Sequence, residues 1–155
     1  MIYSRTPYEA GLDIDYAIEL NGRHLKLYRH LKWLFSLIFL VSGTAVFSNI
    51  SELKDAAKWV GAAIALTAII EHLIAPGDKI ATHASLKRRW SDLRAEKDFL
   101  SLEELDRKIS SLTGEDVHII AALEKPSFNS NLRRHGRENM VRPLNPWEWI
   151  VSAFA

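Results

Sequence analysis

The chain contains no cysteine. A disulfide scaffold, a thiolate nucleophile and any cysteine-ligated zinc or iron–sulfur centre are therefore excluded. Seven glycines and five prolines in 155 residues exclude collagen-like and low-complexity sequence. There is no excess of one charge either. Twenty Lys and Arg face nineteen Asp and Glu, and the net charge of +1 argues against a dedicated nucleic-acid binder. Motifs for chemistry are missing too. The six histidines (His24, His30, His72, His83, His118, His135) show no HExxH or other metal spacing, and there is no phosphate loop, no GxSxG and no carboxylate pair with a companion base. Asp13-Ile14-Asp15 reads as solvated surface. Trp90, Trp147 and Trp149 lie near arginines, but packing or interfacial anchoring explains them more cheaply than base stacking. No enzymatic activity, cofactor, metal or direct nucleic-acid contact is expected.

What the sequence does have is two apolar blocks. Trp33–Ser51 runs for nineteen residues without a charge. At 1.5 Å per residue such a helix spans roughly 28 Å, close to the hydrocarbon thickness of a bilayer. Its polar residues are only Ser36, Ser42, Thr44, Ser48, Asn49 and Ser51, too few for the polar stripe of a soluble core helix. The second block, Trp59–Ala75, is charge-free to Ile70, then carries Glu71 and His72, and meets Pro76-Gly77, which predicts a break. With a short polar link (Glu52, Lys54, Asp55, Lys58), the pair reads as a transmembrane hairpin with spans 33–51 and 59–75. The first block begins too far along the chain, and is too long, for a cleaved signal peptide.

Flanking bases orient the hairpin. Arg23, Lys26, Arg29 and Lys32 precede it; Lys79, Lys87, Arg88 and Arg89 follow. The positive-inside rule puts both termini in the cytoplasm, with Trp33 and Trp59 as interfacial anchors. The basic stripe is a topology signal, or else a site for anionic headgroups. Membrane-embedded polar groups mark functional positions or ion pairs. Simple hairpin geometry brings Glu71 near Lys32 and His30, so Glu71 either pairs with one of them or lines the mouth of a conduction path with His72. Gly61, Ala65, Ala68 and Ala75 form a small-residue face suited to close helix packing. Ile64, Thr67 and Glu71 lie on another. One face would serve the contact within the hairpin and leave the other for a neighbour.

The expected class is all-α: a membrane protein with a two-helix transmembrane hairpin plus amphipathic cytoplasmic helices before and after it. Residues 1–32 hold an N-terminal amphipathic helix begun by Thr6-Pro7-Tyr8-Glu9, a capping box with proline at the first helical position. Tyr8, Leu12, Tyr16 and Leu20 form its stripe, and Asn21-Gly22 is a point of interruption. Residues 33–75 are the hairpin. Residues 76–124 form a cytoplasmic helical region. Leu86, Trp90 and Leu93 mark one face there, a second capping box starts at Ser101, and Leu102, Leu105, Ile109 and Leu112 make a packing stripe. A short segment from Val117 to Glu124 is expected to end at Pro126. Residues 125–155 form a basic, loop-like tail with an apolar, aromatic end, Pro146–Ala155. That end packs on the cytoplasmic helices, lies at the membrane surface or docks on a neighbour, with packing ranked first. Residues 101–124 carry six acids and two bases, residues 125–155 five bases and two acids, so the two segments are candidates for an electrostatic contact.

This layout resembles a SLATT domain. The resemblance covers about residues 10–124: the basic helix Tyr16–Lys32, the hairpin Trp33–Ala75 and the Ser-Leu-Lys-Arg-Arg-Trp pattern of Ser85–Leu93. It implies a bacterial inner-membrane protein of anti-phage defence. Such a protein would assemble as a homo-oligomer and permeabilise the membrane lipid on a signal from a separately encoded cytoplasmic sensor or effector. It supplies no catalytic residues. The alternatives are a phage holin or membrane exclusion protein, and a passive membrane anchor for a soluble enzyme complex.

Overall fold

The computed structural model describes residues 5–47, 54–115 and 117–155; Ser48–Ser51 of the first expected span and Glu52 of the link lie outside them. Six α-helices are present among these residues, with no strand: α1 (Pro7–Phe47), α2 (Lys54–Ile74), α3 (Pro76–Glu96), α4 (Leu102–Thr113), α5 (Ala121–Arg134) and α6 (Pro146–Ala153). Single 3-10 turns follow α3 (Lys97–Phe99) and α5 (Glu138–Met140). The chain divides into two compact units, one made of residues 1–27 and 80–155, the other of residues 28–79.

Local chemistry explains the helix starts. At α1 the Thr6 backbone N–H donates to Glu9 Oε2 (2.8 Å) and the Glu9 N–H donates to Thr6 Oγ1 (3.2 Å). Ser101 and Glu104 make the same reciprocal pair at α4, and Asn145 and Glu148 at α6, where Pro146 takes the first helical position. The expected interruption at Asn21-Gly22 does not occur. Asn21 returns its side-chain amide to the Ala17 carbonyl (2.9 Å), and Gly22 leaves room for the Lys87 ammonium, 3.5 Å from where a Cβ would stand. The helix therefore continues, at the ordinary cost of glycine in a helix.

The break before Pro76 is a single residue wide. Ala75 adopts φ +47°, in the left-handed region, and its carbonyl accepts from Asp78 and Lys79 N–H at the start of α3. Proline disfavours helical geometry at the residue before it, which pushes the turn onto Ala75.

In the first unit, the N-terminal part of α1 packs on two sides. Ala10 and Ile14 join Leu86, Trp90 and Leu93 of α3 and Leu105, Ile109 and Leu112 of α4 in one apolar cluster. Leu102 is only half-buried at its edge. Tyr8, expected on the stripe of α1, is exposed, and Leu12 and Tyr16 are half-buried. Leu20 joins Ala122 and Leu123 of α5 and Val151 of α6 in a second cluster.

The largest departure from expectation is α5. It carries Pro126 inside the helix, and the helix runs on to Arg134 across the expected boundary at 125. Proline there removes one backbone hydrogen bond. Buried polar side chains tie the helix to its neighbours. Ser127 Oγ donates to the Leu123 carbonyl, Asn129 both donates to and accepts from the Arg142 backbone (2.7 and 3.0 Å), and Asn131 donates to the Leu12 carbonyl (2.9 Å). Residues that read as loop formers are tertiary anchors here. Arg133 and Arg134 consequently sit in the last helical turn rather than in a loop.

Candidate functional site

In the unit of residues 28–79 the burial pattern is a seam. On α1, Tyr28 and Phe35 are buried, and Leu31, Ile38 and Ser42 half-buried. On α2, Val60, Ile64, Thr67, Glu71 and Ile74 are half-buried. Both sets alternate spacings of three and four, which puts each on one face of its helix. Much of the outward surface is apolar. Trp33, Leu34, Leu37, Leu40, Val41, Trp59, Leu66, Ile69, Ile70 and Leu73 are all exposed, Leu40 to 66% and Leu73 to 76%. One helix among the described residues is long and apolar enough to cross a membrane. Its qualifying window lies within Lys58–Phe99, and only 6% of that window is buried.

The expected membrane-depth polar residues separate on this geometry. Glu71 is half-buried at the seam beside Thr67, whereas His72, Lys32 and His30 are exposed. Among the described residues no ion pair joins Glu71 to Lys32. Gly61, Ala65 and Ala68 are exposed and share a face with His72, while Ala75 is half-buried at the turn. The seam thus uses the Ile64–Thr67–Glu71 face, and the small-residue face points outward.

The first unit holds a polar centre that the spacing of histidines in the sequence did not suggest. His24 and His83 are fully buried and stacked, ring centroids 4.4 Å apart and planes 19° from parallel. The hydrogen bonds define the His24 tautomer. Nε2 accepts the Ile120 backbone N–H (2.9 Å), so the proton sits on Nδ1, which donates to the Leu20 carbonyl (2.8 Å). Asn21 donates through Nδ2 to Ala17, so its Oδ1 accepts from His83 Nδ1–H (2.9 Å). Burial holds the His24 pKa below the usual imidazole value and His118 adds to the effect, against the raising influence of the Leu20 hydrogen bond. The pair borders a cavity of about 720 Å³, walled by Tyr16, Leu86, Trp90 and Ile109 and by Val117 and Ile119 of the segment before α5. A signal for both histidines was present: His24 extends the Tyr16–Leu20 stripe by one turn, and His83 lies three residues before Leu86 on the face that continues to Trp90 and Leu93.

Asp15, expected at the solvated surface, is instead buried. Arg94 Nε of α3 lies 3.0 Å from the Asp15 Oδ1 as an ion pair without hydrogen-bond geometry, and His135 Nε2 at the end of α5 is hydrogen-bonded to Oδ2 at 3.2 Å. Asp13, two residues away, is the exposed member and pairs with Arg5. One turn on, Glu19 binds Arg23 and Arg134, both at 3.0 Å. Burial raises the Glu19 pKa, but the Ser130 hydrogen bond and the two guanidiniums outweigh it and hold the carboxyl below its usual value.

These pairs redraw the expected electrostatics. Among the described residues, Arg134 and His135 of the tail meet Glu19 and Asp15 of α1, Lys125 pairs with Glu148 within the tail, and no ion pair joins residues 125–155 to the acidic segment 101–124. In that acidic segment Asp106 pairs with Arg5, and Glu115 with Arg89. Of the expected juxtamembrane bases, Arg23 is half-buried, with a second bond to Ser152 Oγ (3.1 Å), and Arg89 is engaged by Glu115. Lys87 is half-buried over Gly22, and Lys26, Arg29, Lys32 and Arg88 are exposed. Among the described residues no group of three or more His, Asp or Glu is placed to hold a metal ion. No family model, curated protein or solved structure matches the chain.

Proposed function

We propose that residues 33–51 and 59–75 cross a bacterial inner membrane as a hairpin, that both termini lie in the cytoplasm, and that the chain is an effector or accessory subunit of an anti-phage defence system. It would assemble with copies of itself through the hairpin and permeabilise the bilayer on a signal from a separately encoded cytoplasmic partner. One observation carries the membrane setting: in residues 28–79 ten large apolar side chains between Trp33 and Leu73 are exposed, while Ser42, Thr67 and Glu71 sit on the half-buried seam. Water penalises that arrangement and acyl chains favour it. The defence setting rests on the likeness of the layout to a SLATT domain.

The outward Gly61–Ala65–Ala68 face supports the assembly step, because small residues let neighbouring helices approach closely where packing drives association in lipid. Two helices cannot enclose a pore, so permeation needs that assembly. The test is native mass spectrometry of detergent-purified Ala65→Leu and Ala68→Leu chains, paired with membrane-potential measurements on expression. Smaller assemblies and lost depolarisation are expected. Unchanged assemblies with unchanged depolarisation in both variants would remove this face from the mechanism. A wild-type chain that never depolarises the membrane, with any partner, would leave only an anchor for a soluble enzyme.

A further inference from the structure

Helix α6 is inside out for a helix on a water-soluble surface. Its one acid, Glu148, faces inward, where Lys125 binds it at 2.8 Å and the Asn145 N–H caps it. Val151 is the other fully buried position. The outward arc carries Trp147, Trp149, Ile150 and Phe154, exposed by 65, 67, 44 and 56%, together with Pro146 and Ala153. No charged side chain interrupts that arc. Tryptophan and phenylalanine around an amphipathic helix, with arginine nearby, is the composition of a segment lying in the headgroup region. The same C-terminal stretch supplies exposed Arg133 and Arg142, which complement an anionic lipid surface.

We propose that α6 is a peripheral membrane contact, seating Trp147, Trp149, Ile150 and Phe154 at the boundary between headgroups and acyl chains. This inference rests on the hairpin reading above. The unit that contains α6 is joined to the spans at two points of the chain, 27–28 and 79–80. That tether supplies the effective concentration that eight residues alone would lack. The occupant is lipid rather than a second copy, because the exposed arc combines interfacial aromatics with no polar atom apart from the two indole N–H groups, which suit the carbonyl level of a bilayer.

The absence of native cysteine makes the test clean. Full-length chains carrying Ile150→Cys or, as an internal reference, Leu66→Cys are labelled with an environment-sensitive fluorophore and reconstituted into phosphatidylcholine–phosphatidylglycerol vesicles. Vesicles with and without shallow and deep nitroxide lipids are compared. The expected result is that the label at 150 loses most of its emission to the shallow nitroxide and little to the deep one, while the label at 66 responds to the deep one. Adding Trp147→Ser and Trp149→Ser together should abolish the response at 150. These positions are exposed, so circular dichroism should stay unchanged. Quenching at 66 without any at 150 would overturn the proposal and leave the hairpin standing. Shielding of 150 from aqueous iodide without lipid quenching would assign the arc to a protein neighbour, and also overturn it. No quenching at either position would defeat both readings.

Discussion

The two units differ in how much large apolar surface they leave outside. In residues 1–27 and 80–155, Ile14 and Leu123 are fully buried and Trp90 nearly so, and charged side chains dominate the outside of α4. In residues 28–79, Leu40, Leu66 and Leu73 face out, and the half-buried seam admits Glu71. Both units are helical, and both build seams at spacings of three and four. The difference therefore lies in how much apolar surface each unit exposes and not in secondary structure, and under the proposed hairpin that surface meets acyl chains. Helix α6 belongs to the first unit by packing and resembles the second by surface.

The comparison breaks most sharply at paired substitutions. Leu123→Ala in the first unit removes a fully buried side chain and should cost about 2–5 kcal/mol. Leu66→Ala, exposed in the second unit, should change stability in detergent by no more than about 0.5 kcal/mol. Thermal denaturation of both variants checks this, and equal losses would mean that Leu66 is covered. Leu66→Arg sharpens the point. On a water-facing helix it would be nearly neutral, but near the middle of a span it opposes insertion by about 2.5–3.5 kcal/mol. The variant should shift out of the membrane fraction.

A smaller effect separates the units by pH. The folded state holds His24 below its ordinary pKa of 6.5, so it favours the neutral ring. The unfolded chain then binds more protons in mildly acidic solution, and stability falls as pH drops through about 6.5 toward the folded value. Protonation also removes the Nε2 lone pair that accepts Ile120 N–H. Glu19, held low, gives up its contribution only at pH values beneath the ordinary carboxylate value of 4.5. A melting temperature that drops between pH 7.5 and 5.5, with the drop reduced in His24→Gln, is expected. An unchanged melting temperature would mean that the fold does not hold the His24 pKa below its unfolded value.

The smallest predicted effect sits at the turn between α2 and α3. Ala75 holds a left-handed conformation that costs a residue with a Cβ roughly 1–2 kcal/mol. Ala75→Gly should relieve it, and after the added freedom of the unfolded chain the gain should be about 0.5–1 kcal/mol. A lowered melting temperature would show that the strain is not there.

The sequence disclosed features held by neighbours along the chain. The Thr6–Glu9 and Ser101–Glu104 boxes, the break before Pro76 and the Leu86–Trp90–Leu93 face all follow from residues within a few positions of each other. It concealed features held across the fold. Helix α5 reads as a loop until Asn129 and Asn131 find the Arg142 and Leu12 backbones. Asp15 reads as surface until Arg94 and His135 close on it. The tail reads as a partner for nearby acids, yet its Arg134 and His135 reach back to α1. The aromatic end of the chain was visible as composition. Which of its residues face outward depends on Glu148, which the local Asn145 capping box turns back and the distant Lys125 holds.

The decisive measurement is sidedness. Single cysteines at Ser51, between the blocks, and at Ser101 and Ala153, beyond them, are challenged in intact bacteria with a membrane-impermeant maleimide. A hairpin predicts labelling at position 51 from outside and at 101 and 153 only after lysis. Labelling of all three on one side, or recovery of the chain in the cytosol without detergent, would contradict it.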